Sequence, residues 1–121
     1  MLPRASRLKR SRDFQMVYKR RTSWASPNLV LYVRFRTPRE PERSRLGFVI
    51  SKKVAKRAHD RNRLKRRLRE ISRLRLLPSA LRPFDALVVA RTPAPALSYD
   101  QLMRELTALA RQGGLVKEIQ S

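Results

Sequence analysis

Apolar positions recur along this chain with two different periods, and each period predicts an element. Phe14, Val17 and Tyr18 fall at i, i+3 and i+4. They share one face of a helix predicted from Arg12 to about Arg20, with Ser11 as its cap and Asp13 near the positive end of its dipole. Residues 22–28, with Trp24 and Pro27, suit a short strand and a turn. From Leu29 to Arg36 the period drops to two. Leu29, Leu31, Val33 and Phe35 point to one face as core, and Val30, Tyr32, Arg34 and Arg36 point to the other. Residues 37–44, TPREPERS, read as an exposed loop between paired strands. Arg45 to Ser51 is the next strand, with Leu46, Phe48 and Ile50 on one face and Gly47 leaving room on the other for another backbone or a ligand.

The helical period returns from about Asp60 to about Leu76, where Leu64, Leu68 and Ile71 form the buried stripe. At roughly 100° per residue, Asn62, Arg66, Arg69 and Arg73 lie opposite that stripe. Arg61 and Lys65 flank it on one side, Arg63 and Arg67 on the other. Phe84 to Arg91 is an almost continuous apolar run, as expected of a central strand covered on both faces. After the proline-rich residues 92–97, Ser98 and Gln101 make a capping box for a last helix. Its stripe is Leu102, Leu106 and Leu109, and Gly113–Gly114 ends it. The order of helix, strands, helix, strand, helix predicts one α+β domain over residues 1–121, a small sheet covered by helices.

Charge changes this picture from a generic domain to a binder of polyanions. Thirty Lys and Arg against nine Asp and Glu leave a formal net charge of +21. The excess is clustered: residues 52–75 carry twelve Lys or Arg against two acids, and residues 76–121 carry five against four. Clustering marks a patch, the electrostatic footprint of a nucleic-acid binder, with an anionic membrane surface as the weaker fit. A basic but merely solvated helix face is the bland alternative; such faces usually mix signs. The apolar share of 41% supports a core. The absence of cysteine excludes disulfides and thiolate chemistry and fits a reducing cytosol.

Catalytic chemistry is poorly supplied. His59 is the single histidine and, beside Asp60 at a helix start, reads as a capping or surface residue. The carboxylates are scattered, Glu40 and Glu42 read as solubility devices in the proline loop, and three glycines are too few for a phosphate loop. Binding chemistry is better supplied. Arginine forks match phosphates, and Phe14, Tyr18 and Tyr32 form an aromatic platform for bases if the first helix packs on the Tyr32 face. The alternative for Phe14 and Tyr18 is an ordinary place in the core.

The stretch Ser51 to Glu70, SKKVAKRAHDRNRLKRRLRE, resembles the signature of the bacterial ribonuclease P protein subunit, centred on Arg61-Asn62-Arg63. LKRSRDFQMVY from Leu8 resembles that family's first helix, and RLGFVISKK from Arg45 and DALVVAR from Asp85 resemble two of its strands. The resemblance implies a four-stranded mixed sheet with three helices, like a ribosomal-protein domain and domain IV of elongation factor G, and a left-handed βαβ crossover. It implies a cytoplasmic protein subunit of an endoribonuclease that removes the 5′ leader of precursor tRNA. Its partners would be the catalytic RNA subunit and precursor tRNA, with no membrane and no obligate protein partner. Mg²⁺ would be the cofactor, held mainly by RNA, and a protein-bound metal is left open. Carried over by position, Lys52, Lys53, Lys56, Arg57, Arg61, Asn62, Arg63, Lys65, Arg66 and Arg69 would face the RNA subunit. Phe14, Val17, Tyr18, Tyr32, Arg34 and Arg36 would line the leader cleft. Ala55 and Ala58-His59 depart from the usual residues before the helix, and the 37–44 loop receives no role. A structural ribosomal protein on a related fold and a DNA-binding module remain as alternatives.

Overall fold

A computed structural model describes residues 2–19, 22–92 and 94–117. Helix α1 runs Ser11–Lys19, so Ser11 is the first helical residue rather than its cap, and the expected end at Arg20 lies outside the described residues. Strands β1 (Ser23–Ala25), β2 (Leu29–Phe35) and β3 (Arg45–Val49) precede α2 (Ala58–Ile71), β4 (Phe84–Ala90) and α3 (Tyr99–Gln112). The expected helix to Leu76 does continue past Ile71, but as a wider turn over Ser72–Leu76, in which Leu77 N–H reaches back to Ser72 O. Ser72 Oγ donates to Leu68 O at 2.8 Å, a back-bond that loosens regular α-helical hydrogen bonding.

The sheet order is β1-β2-β4-β3. β4 pairs antiparallel with β2 and parallel with β3. The expectation that the 37–44 loop joins two paired strands is therefore wrong, because β4 lies between them. Two physical reasons favour this order. β4 is apolar on both faces, which suits an interior strand. A direct β2–β3 pair would also bring arginines together, whereas β4 sets Asp85 between Arg34 and Arg45 in the register.

The two faces of the sheet carry different helices. Leu29, Leu31, Val33, Ala86, Val88 and Leu46 join Leu64, Leu68 and Ile71 of α2 and Leu102, Leu106 and Leu109 of α3 in the main core. On the opposite face Val17 of α1 packs with Leu8 and Leu87, flanked by Phe14, Tyr18 and Tyr32. The capping box at α3 forms as expected, Ser98 Oγ accepting from Gln101 N–H and Gln101 from Ser98 N–H. Gly114, at φ 73°, takes the left-handed conformation after the helix end. Glu105 of α3 accepts from Ser26 Oγ and from the backbone and side-chain N–H groups of Asn28, tying the β1–β2 turn to the helix.

Candidate nucleic-acid interface

The aromatic platform assembles because α1 lies over the Tyr32 face. Tyr18 meets Tyr32 edge to face, with ring centroids 4.8 Å apart. Burial, and then the neighbouring Tyr32, raises the Tyr18 hydroxyl above its ordinary pKa. Phe14 fills the space over Gly47: a Cβ there would stand 3.0 Å from Phe14 Cζ and 2.7 Å from Leu87 Cδ2. The room left by Gly47 is thus used by this chain's own ring. Phe14, Tyr18 and Tyr32 are all partly exposed, as a stacking surface requires. Val17 is not; it is completely buried beneath them and supports the platform without reaching a ligand. Its place in the predicted leader cleft is corrected on that ground.

The basic helix divides by face. Lys65 and Arg69 line a cleft of about 330 Å³ together with Arg7, Lys9, Phe14, Gly47 and Phe48. Two residues predicted for the RNA-subunit face therefore share a groove with Phe14 of the aromatic platform. Asn62 and Arg66 are exposed on the outer side, as are Lys52, Lys53 and Arg57 before the helix. Lys56 and Arg63 border a second cavity of about 740 Å³ between α2 and the start of α3, with Arg67 beside them. Arg61 acts inward, donating to Ala55 O at 2.9 Å and Lys56 O at 2.8 Å, and so braces the loop that leads into α2. The sequence reading missed Arg7, Lys9 and Phe48 at the groove. Phe48 does pack against the main core, as its strand period predicts, and because β3 is an edge strand it is only half-buried and also borders the groove. Arg7 and Lys9 follow no period; the signal that places them is the bridge of Arg7 to Leu46.

Arg34 and Arg36 differ most from expectation. Both were assigned to an open leader cleft, yet each side chain is only 6% exposed. Arg34 Nη1 and Nη2 donate to Glu40 Oε1 and Oε2 at 2.9 and 2.6 Å. Asp85, 1% exposed on β4, takes Arg34 at 3.2 Å, Arg36 at 3.3 Å and Arg45 through two bonds of 2.9 and 2.8 Å. Arg45 also reaches Asp13 of α1 at 3.5 Å, which pins the helix across the sheet. The Arg34 guanidinium, aided by Thr37 N–H, holds the Glu40 carboxyl far below the usual carboxylate range. Glu40 is thus a clamp rather than a solubility device. The scattered carboxylates Asp13, Glu40 and Asp85 converge because β4 crosses between β2 and β3.

These carboxylates are matched to guanidinia, and no group of three His, Cys, Asp or Glu placed to hold a metal occurs among the described residues. His59 stands exposed in the first turn of α2. The donor set does not fit a protein-held Mg²⁺. The described residues instead combine a basic outer helix face with a groove lined by both aromatic and cationic side chains.

The family model described as Ribonuclease P matches residues 2–113. The chain belongs to the ribonuclease P protein family. The ribonuclease P protein component of Bacillus velezensis is 37% identical over 120 residues, covering 99% of each chain. That of Chloroflexus aurantiacus is 39% identical over 117 residues, covering 93% of this chain and 81% of its own. Among solved structures, the ribonuclease P protein of Staphylococcus aureus superposes with a TM-score of 0.82 at 31% identity, over 94% of this chain and all of that one. The Thermotoga maritima protein gives 0.75 at 28% identity, over 95% and 98%. The α+β fold of three helices and a four-stranded mixed sheet is thus that of ribonuclease P proteins. Membership implies a part in tRNA 5′ processing, within an endoribonuclease complex that includes an RNA subunit. No described helix is long and apolar enough to cross a membrane.

Proposed function

We propose that this chain binds the catalytic RNA subunit of ribonuclease P and the single-stranded 5′ leader of precursor tRNA at adjoining surfaces, and so promotes endonucleolytic removal of the leader. The observation that carries this reading is the shared groove, whose lining combines the rings of Phe14 and Phe48 with the cations Arg7, Lys9, Lys65 and Arg69. Aromatic faces stack unpaired bases without strong sequence preference, and flanking cations follow the backbone. A precursor differs from its product by the leader phosphates, so a cationic groove favours precursor over mature tRNA. The outer face of α2, with Asn62, Arg63 and Arg66, and Lys52, Lys53, Lys56 and Arg57 before it, grips the RNA subunit's backbone through charge-assisted hydrogen bonds. Bond cleavage belongs to the RNA subunit, which also holds the Mg²⁺; in support, no group of three His, Cys, Asp or Glu among the described residues is placed to hold a metal, and Asp85 and Glu40 are paired with guanidinia. The setting is the bacterial cytoplasm, and no further protein partner is required.

The test is cleavage of a leader-bearing precursor tRNA at low Mg²⁺ by the RNA subunit, with and without this protein. Cleavage at the mature 5′ end only when both are present is the expected result. Cleavage by the protein alone, or no effect of adding it, would remove this reading.

A further inference from the structure

The fork-to-fork pairing of Arg34 with Glu40 uses the two guanidinium donors that a phosphate would use, since a carboxylate presents a similar pair of acceptor oxygens. Arg36 lies 3.7 Å from the same carboxylate. We propose that Glu40 occupies, in the free protein, the seat of an RNA backbone phosphate on Arg34 and Arg36, and that the bound leader takes this seat over. The inference rests on the leader reading above and deepens it.

Three observations support it. First, Glu40 sits on the proline-bracketed 37–44 loop at the protein surface, with its own side chain a quarter exposed, so it can leave without opening the core. Second, the arginines would not follow it. Asp85 is buried on the central strand and still holds Arg34, Arg36 and Arg45, so the seat stays shaped when the carboxylate departs. Third, the cluster has donors to spare. The Nε atoms of Arg34 and Arg36 are buried with no acceptor among the described residues. Without Glu40, three guanidinia face only Asp85 and Asp13, which leaves a positive site ready for an anion. Arg34 is two residues from Tyr32 on one strand face, roughly 7 Å along the strand. A base on the tyrosine and a phosphate on the arginine can therefore belong to one strand of RNA.

The experiment uses the reconstituted holoenzyme and compares Glu40→Gln with the unaltered protein, measuring affinity for a leader-bearing precursor and for mature tRNA across a salt series. With exchange, Glu40→Gln tightens precursor binding about threefold or more and leaves mature tRNA nearly unchanged. The slope of log affinity against log salt steepens by about 0.7, the value for one more neutralised phosphate on a single strand. Adding Arg34→Lys to that variant removes the fork and abolishes the gain. Weaker or unchanged precursor binding by Glu40→Gln, in a variant that is still folded at the assay temperature and still binds the RNA subunit as the unaltered protein does, overturns the exchange. Tyr32→Ala separates the two levels. If it selectively weakens precursor binding while Glu40→Gln gains nothing, the exchange alone falls; if it too fails to distinguish precursor from mature tRNA, the leader reading falls and the exchange with it.

Discussion

Single side chains carry two demands here, close packing and charge matching. Gly47 is the packing case. Alanine at this position would place its Cβ against Leu87 and the Phe14 ring, so one of them must shift. Gly47→Ala should cost about 1–3 kcal/mol in urea unfolding and should also weaken precursor binding by displacing Phe14. An unaltered denaturation midpoint would show that the ring can move freely. Glu40 is the charge case. Its carboxyl is depressed in the fold by Arg34, so the folded state takes up this proton at lower pH than the unfolded chain does. The stabilisation is complete above the unfolded value of about 4.3 and drains away as pH falls below it. The stability gap between the unaltered protein and Glu40→Gln should therefore be widest near neutral pH and narrow below about pH 4. A gap that stays constant with pH would mean the pair contributes packing rather than charge.

At the scale of elements, α2 performs three tasks at once. Leu64, Leu68 and Ile71 anchor it in the core, its outer face stays open, and Lys65 with Arg69 turns toward the aromatic groove. Its stripe of leucines was plain from the period of the sequence. The division of its cations between two surfaces was not, because a helical wheel shows angles but no neighbours. The division predicts separable variants. Arg66→Glu should weaken RNA-subunit binding and lower the salt slope of that binding by about 1, with little change in the preference for precursor. Arg69→Glu should lower the preference for precursor over mature tRNA. Identical profiles for the two variants would argue that the helix offers one undivided surface. Helix α1 shows the same limit of legibility. Val17 and Phe14 share a face by period, yet one is sealed beneath the platform and the other forms it. The difference lies in Gly47 and Leu87, on other elements.

For the whole molecule the dominant quantity is a net charge of +21 on 121 residues. Such a domain repels itself when folded, and an anion that binds only the folded state offsets that repulsion by mass action. Sulfate should raise the melting temperature of the free protein well above that in chloride at equal ionic strength. The gain is about 2.7 kcal/mol when sulfate stands at one hundred times its dissociation constant. Equal melting temperatures in the two salts would mean that the internal pairing of Asp13, Glu40 and Asp85 already suffices.

Read by itself, the chain determined its local elements, its basic character and, through the Arg61-Asn62-Arg63 block, its family. These are legible because helix and strand periods are set by neighbours two to four residues apart, and because charge and residue type need no geometry. Only the tertiary structure decided that β4 separates β2 from β3, that Arg34 and Arg36 are engaged rather than open, and that Lys65 and Arg69 join Phe14 in one groove. Those outcomes depend on pairs far apart in the chain: Arg45 and Asp85 are separated by 40 residues, Arg34 and Asp85 by 51. Such pairs form where burial of an apolar strand and neutralisation of like charges are satisfied together, a condition on the assembled sheet that no local period expresses.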